Sequence, residues 1–102
     1  MTPDEMAPDT GTAASSATRL DYLEKLGDEL RRLGLSARLS VPRDGAPSLH
    51  VMNPAASVLT ENILVERGED GWWYWWSWAE RIASADDVGA AAARVAAVLA
   101  VD

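Results

Sequence analysis

Residues 72–78 read Trp-Trp-Tyr-Trp-Trp-Ser-Trp, and they hold every tryptophan of the chain. In an extended strand successive side chains point to opposite faces. Trp72, Tyr74, Trp76 and Trp78 then share one face, and Trp73 and Trp75 share the other with Ser77 and Ala79. A sheet built on this strand therefore carries indole rings on both sides. A chain of 102 residues has room for one domain and one core. One layer of helices can cover one face of such a sheet, and the aromatics of the second face must be accommodated in some other way.

The flanking sequence supplies the helices and the remaining strands. Thr18 to Asp21 has the spacing of a capping box, with Asp in place of the usual Glu. Leu20, Leu23, Leu26, Leu30 and Leu33 follow at spacings of three and four, one stripe of a helix. Arg31 and Arg32 suit its last turn, and Gly34 suits the residue just past its end. Leu35 to Val41 alternates at period two, with Leu35, Ala37, Leu39 and Val41 on one side and Ser36, Arg38 and Ser40 on the other. Pro42 to Pro47 is a turn by composition. Ser48 to Asn53 is a second strand, with Leu49 and Val51 opposite His50 and Met52. Ala55 to Thr60 fits a loop, a helical turn or an early start to the third strand, which is read over Asn62 to Arg67. Gly68-Glu69-Asp70-Gly71 is a hairpin connection, and Trp72 to Ala79 is the fourth strand, with an extension to Ile82 left open. Ser84 to Asp87 has capping-box spacing before a helix whose inner face is Val88, Ala92, Val95 and Leu99, with Ala91 and Val98 beside them.

The order is thus α-β-β-β-β-α with short connections. It predicts an α+β fold, a two-layer sandwich with an antiparallel meander sheet and both helices on one face. Residues 1–16, rich in Pro, Ala, Thr, Ser and acids, are read as a disordered acidic tail, and residues 17–102 as a single domain.

Charge and composition narrow the functions. Sixteen acids oppose nine bases, a net charge of −7, and Arg31-Arg32 is the one adjacent basic pair. Without clustered bases there is little counterion release to drive binding to nucleic acid or an anionic membrane. The absence of cysteine removes disulfides, thiolate metal sites and a cysteine nucleophile, and suits a reducing compartment. Neither a secretory signal nor an apolar stretch of about 20 residues is present, so the expected location is the cytoplasm. His50 is the single histidine, with no serine–acid arrangement around it. The acidic pairs Glu69-Asp70 and Asp86-Asp87 fall at a hairpin tip and a helix N-terminus, where turn chemistry and the macrodipole explain them. The chain is read as a non-enzyme with no cofactor and no metal.

Phase continuity with Ile82 favours Trp72, Tyr74, Trp76 and Trp78 facing the helices; the reversed phase stays open, and either phase leaves two or more aromatics outside. Trp73 and Trp75 then lie on the open face with Arg38, His50 and Met52, and these five are the candidate binding residues. Three fates suit such a face. The indoles lie flat and are shielded by Arg38 through a cation–π contact, the face forms a dimer interface, or it takes a ligand or protein partner. The expected function is a non-catalytic protein–protein interaction or accessory regulatory module, self-associating through the aromatic face as a homodimer or binding a protein partner. The alternative is a small-molecule-binding domain using the Trp, Arg and His residues of the same face.

The run from Gly71 to Ile82, with Leu49-His50-Val51-Met52-Asn53-Pro54 before it, resembles a group of short actinobacterial proteins sharing a WWxWWSW strand. The likeness spans roughly residues 18–101. It implies an accessory or regulatory role, since such proteins are often encoded beside helix-turn-helix regulators and anti-sigma-type kinases. A looser similarity to small secretion-chaperone-like domains implies dimerisation and binding of other proteins. Double-stranded-RNA-binding domains run α-β-β-β-α, but they need basic residues leading the last helix. Asp86 and Asp87 stand there instead.

Overall fold

A computed structural model describes residues 3–100, with side chains for residues 17–100. Helix α1 (Pro3–Arg32) is followed by strands β1 (Ser36–Ser40), β2 (Ser48–Asn53), β3 (Ala56–Gly68), β4 (Gly71–Trp76) and β5 (Arg81–Ser84), and then by helix α2 (Val88–Val98). The strands form one antiparallel sheet in the order β1-β2-β3-β4-β5. The fold is α+β with a meander sheet, and it has five strands where the sequence predicts four.

Helix α1 begins at Pro3 rather than at the Thr18 box. Proline at the first helical position, followed by Asp4 and Glu5 in the first turn, is a helix-start signal that the patterning after Thr18 overshadows. The disordered tail expected over residues 1–16 falls on residues whose side chains lie outside those described. At its other end α1 stops as expected. Gly34 adopts φ 91° and its N–H donates to the Arg31 carbonyl, while the Leu35 N–H reaches the Leu30 carbonyl, each at 3.0 Å. This double closure satisfies orphan carbonyls of the last turn. It also carries Leu33 round to solvent at 53% exposure, so the apolar stripe ends at Leu30.

Leu23, Leu26 and Leu30 of α1 share a single core with Ala91, Ala92 and Val95 of α2 and with Leu99 just beyond it. The sheet contributes Ala37, Leu49, Val51, Ile63, Val65, Tyr74, Trp76 and Ile82. Both helices therefore sit on one face. Val41, on the inner side of the predicted strand, is 62% exposed because β1 ends at Ser40, and Val98, beside the inner face of the last helix, is 49% exposed. Asp87, rather than the Ser84 box, caps α2: its Oδ1 accepts from the Ala90 N–H at 3.1 Å. Ser84 instead closes the preceding turn, accepting the Asp86 N–H on its hydroxyl and the Asp87 N–H on its carbonyl.

The edge strand β1 is partly closed by α1. Arg31 Nη2 donates to the Ala37 carbonyl at 2.8 Å, and its Nη1 pairs with Asp28 Oδ1 at 2.9 Å. The fully buried Tyr74 ties the middle of the sheet to the same helix. Its hydroxyl donates to the Tyr22 carbonyl at 2.6 Å, and its ring meets that of Tyr22 edge-on.

The fourth strand ends earlier than its composition suggests. After Trp76 the chain turns: the Ala79 N–H donates to the Trp76 carbonyl at 2.9 Å, and the Trp76 N–H to the Glu80 carbonyl at 2.8 Å. Ala79 adopts φ 72° to make this turn, a left-handed conformation costly for any residue with a Cβ. Between Tyr74 and Trp75 the β4–β5 register shifts, with Tyr74 opposite Ala83 and Trp75 opposite Arg81. Ile82 is the extra residue of a β-bulge, and it points into the core.

Two measurements test this account. Burial, reinforced by Tyr22 and Asp21, pushes the Tyr74 hydroxyl well above its ordinary value of 10.0. The folded state then holds this proton more tightly than the unfolded chain, so unfolding above pH 10.0 releases it and stability falls as pH rises, by at most ~1.4 kcal/mol per pH unit. Tyr74→Phe should cost about 1 kcal/mol at neutral pH through the lost hydrogen bond and flatten that alkaline decline. Urea titrations at several pH values read both effects. Ala79→Gly should stabilise by about 1 kcal/mol and raise Tm by about 4–8 °C. An unchanged or lower Tm would show that the turn is not strained.

Candidate functional site

The outer face of the sheet is assembled by register. Arg38 lies opposite His50, and His50 opposite Asn62. Leu64 lies opposite Trp75, Glu66 opposite Trp73, Trp73 opposite Ser84, and Trp75 opposite Arg81. The five candidate residues thus share one face, but they fall into two groups. Arg38, His50 and Met52 belong to the β1–β2 side, Trp73 and Trp75 to the β4 side, and β3 runs between them.

On the aromatic side Trp73 and Trp75 are half-buried although both helices lie on the opposite face. The guanidinium of Arg81 stacks over both rings, 4.6 Å from the Trp73 centroid and 5.4 Å from that of Trp75. The cation on the tryptophans is therefore Arg81, not the Arg38 of the shielded-face alternative. The bulge at Ile82 is what puts Arg81 in phase with Trp75 on the outer face. Trp73 is further held by its indole N–H, which donates to Asp70 Oδ1 at the hairpin tip at 3.1 Å. A groove of about 300 Å³ opens beside Trp75, lined by Leu64, Glu66, Trp75, Trp76, Ser77 and Ala79.

Trp78 stands apart from its expected partners. Lying in the turn beyond β4, it is 47% exposed yet stacks on the buried Trp76 with centroids 4.8 Å apart and planes within 6°. Its indole N–H donates to Glu80 Oε1 at 2.9 Å. Trp72 faces inward, packs against Tyr22 and carries the Arg19 guanidinium 5.4 Å from its centroid. Arg19 also donates to Glu66 Oε1 and to the Val65 carbonyl, at 3.1 and 3.3 Å.

On the polar side both ring nitrogens of His50 are engaged. Nδ1 lies 2.9 Å from Asn62 Oδ1, and Nε2 lies 3.0 Å from Thr60 Oγ1. Thr60 Oγ1 in turn donates to the Val51 carbonyl at 3.0 Å. Met52 pairs across the sheet with Ser36 and Thr60 and is half-buried. A shallow hollow of about 360 Å³ is lined by Arg38, Leu39, Ser40, Ser48, His50 and Asn62.

Arg81 is the site residue that sequence patterning misses, because Trp72 to Ala79 reads as one strand with no obvious break. Asn62 and Leu64, outward by their alternation with Ile63 and Val65, also join the face, and Thr60 joins it because β3 starts as early as Ala56. Among the described residues there is no group of three or more His, Cys, Asp or Glu placed to hold a metal ion. No helix among them is long and apolar enough to cross a membrane. No family model, curated protein or solved structure matches the chain.

If Arg81 holds the two indoles in place, Arg81→Ala should lower stability by about 1 kcal/mol, the order of two partly exposed cation–π contacts. It should also weaken the near-ultraviolet circular dichroism of the tryptophans while leaving the far-ultraviolet spectrum intact. Unchanged near-ultraviolet signal would show that the rings are fixed without it.

Proposed function

We propose that this chain is a non-catalytic protein-interaction module that self-associates through the aromatic half of its open sheet face. The observation that carries this is the placement of Trp73, Trp75 and Leu64 on the sheet face opposite the helices. Contiguous aromatic surface of this kind is the usual anchor of an interface core. A second copy suits it because the face carries both signs of charge. Glu66 stands opposite Trp73, Asp70 accepts the Trp73 indole N–H, and Arg81 stacks on both indoles, so two copies related by a twofold axis can set acid against base. That local balance offsets the repulsion expected between two chains of net charge −7.

The non-catalytic reading is supported by His50, whose ring nitrogens are both committed to neighbours within the sheet. The accessory, regulator-linked role implied by the sequence resemblance fits a module that binds and does not turn over substrate. The groove beside Trp75 favours a second reading, a small apolar ligand on the same face, which applies if the chain is monomeric.

Light scattering across a dilution series separates the two. A dimer is expected, near twice 11.0 kDa, and the double substitution Trp73→Ser, Trp75→Ser should give a monomer with unchanged far-ultraviolet circular dichroism. A wild-type chain that stays monomeric at every concentration, or a double variant that remains dimeric, removes the aromatic face as the self-association surface.

A further inference from the structure

The polar corner of the open face carries a run of hydrogen bonds whose directions follow from counting protons. The Val51 carbonyl can only accept, so the Thr60 hydroxyl, 3.0 Å away, directs its single proton there. Thr60 Oγ1 is left with lone pairs toward His50 Nε2, also at 3.0 Å, and that nitrogen must carry a hydrogen. Gain and loss of a proton at His50 therefore fall on Nδ1, the nitrogen that faces the Asn62 side-chain amide.

The Asn62 amide has an acceptor on one arm and a donor on the other. A neutral ring offers Nδ1 as a lone pair, which calls for Asn62 Nδ2 as donor. An imidazolium offers a proton at Nδ1, which calls for Asn62 Oδ1. The structure places Oδ1 on Nδ1 at 2.9 Å, the arrangement of the charged ring. Loss of the proton sets two lone pairs against each other, and half a turn of the amide restores the bond. The same turn exchanges the atom that Asn62 shows outward, Nδ2 beside the charged ring and Oδ1 beside the neutral one.

The surroundings leave this exchange to His50. Both residues are exposed and lie on the sheet face opposite the helices. Arg38 of β1 stands directly opposite the ring, Ser48 and Met52 flank it on β2, and Thr60 and Asn62 face it from β3. Arg38 is the one charged group among these side chains. Histidine is the side chain whose ordinary charge change falls between about pH 5 and 8, and the chain has one.

We infer that His50 and Asn62 form a pH-operated switch that sets the hydrogen-bonding polarity of this corner. With the ring neutral, the hollow shared by Arg38, Ser40, Ser48, His50 and Asn62 presents the Asn62 side-chain oxygen. With the ring charged, it presents the amide protons and a second positive charge beside Arg38. A group docking here meets an acceptor in the first state and a donor in the second. Thr60 is the positioning residue, because holding the tautomer keeps the titrating nitrogen on the Asn62 side. The corner stands on β1, β2 and β3, apart from Trp73 and Trp75, so the switch is independent of self-association through the aromatic half.

The test is NMR of the full, nitrogen-labelled chain between about pH 8 and about pH 5. At the upper end the ring should be the Nε2–H tautomer, with a nitrogen–nitrogen coupling through the hydrogen bond from Asn62 Nδ2 to His50 Nδ1. On acidification that coupling should vanish, and the Asn62 side-chain amide signals should move with the same midpoint as the ring. Thr60→Val keeps the branched shape and removes the hydroxyl. It should lower the ratio of Nε2–H to Nδ1–H tautomer about fivefold, the loss of one hydrogen bond; the wild-type titration decides alone should the variant not fold. The proposal is overturned if the neutral ring carries its proton on Nδ1, if no coupling to Asn62 is seen at the upper end, if the Asn62 amide does not follow the ring, or if a folded Thr60→Val leaves the tautomer ratio unchanged.

Discussion

The hydroxyl of Tyr74 reaches out of the sheet to the Tyr22 carbonyl on α1, 2.6 Å away, and the position of this one side chain orders most of what surrounds it. A phenol with its ring fully buried must place its hydroxyl on an acceptor, since an unmet donor in the core costs about as much as the burial of a small apolar group returns. Meeting that demand fixes which way β4 faces. Trp76 then enters the core beside it, Trp72 packs on Tyr22, and Trp73 and Trp75 are committed to the other side. A slip of one residue would exchange the two sets and strand the hydroxyl on the open face. The aromatic surface proposed as an interface is therefore the obligatory reverse of a well-satisfied core.

The β4–β5 bulge acts on that reverse side. By letting Ile82 and Ala83 both turn inward, it leaves Arg81 outward opposite Trp75. A long cationic side chain laid over two indoles shields part of their surface while keeping its own charge in water. Shielding by an arginine and use as an interface are compatible, because a guanidinium over an aromatic plane is itself a frequent component of interface cores.

Much of this architecture is legible in the amino-acid sequence where local physics dominates. The α1 stripe, the Gly34 stop, the Asp70-Gly71 hairpin and the alternation of Leu49 and Val51 with His50 and Met52 are each decided within a few residues. What escapes is decided by contacts distant in sequence or by unfavoured local geometry. The turn at Ser77–Glu80 contains neither glycine nor proline, and its left-handed residue is an alanine, so nothing in composition marks the end of β4. Missing that turn hides β5, and with β5 hidden, Arg81 has no face. Patterning then offers Arg38 as the cation for the tryptophans, although it stands on β1, three strand spacings, roughly 14 Å, from β4. Periodicity puts the five candidate residues on one sheet face, and their division into an aromatic group and a polar group depends on cross-strand register, which periodicity alone does not supply.

The Arg31 guanidinium on the Ala37 carbonyl has a consequence for how copies of this chain can meet. A free sheet edge invites another strand to add to it, and strands added at successive edges grow without limit. Here one edge has a carbonyl already occupied by α1, and the other is a strand of four residues interrupted by a bulge. Lateral growth is discouraged at both ends, whereas stacking of the broad outer faces terminates after two chains. Self-association through the outer face, as proposed, is therefore of the kind that closes at a finite number and does not grow into fibres.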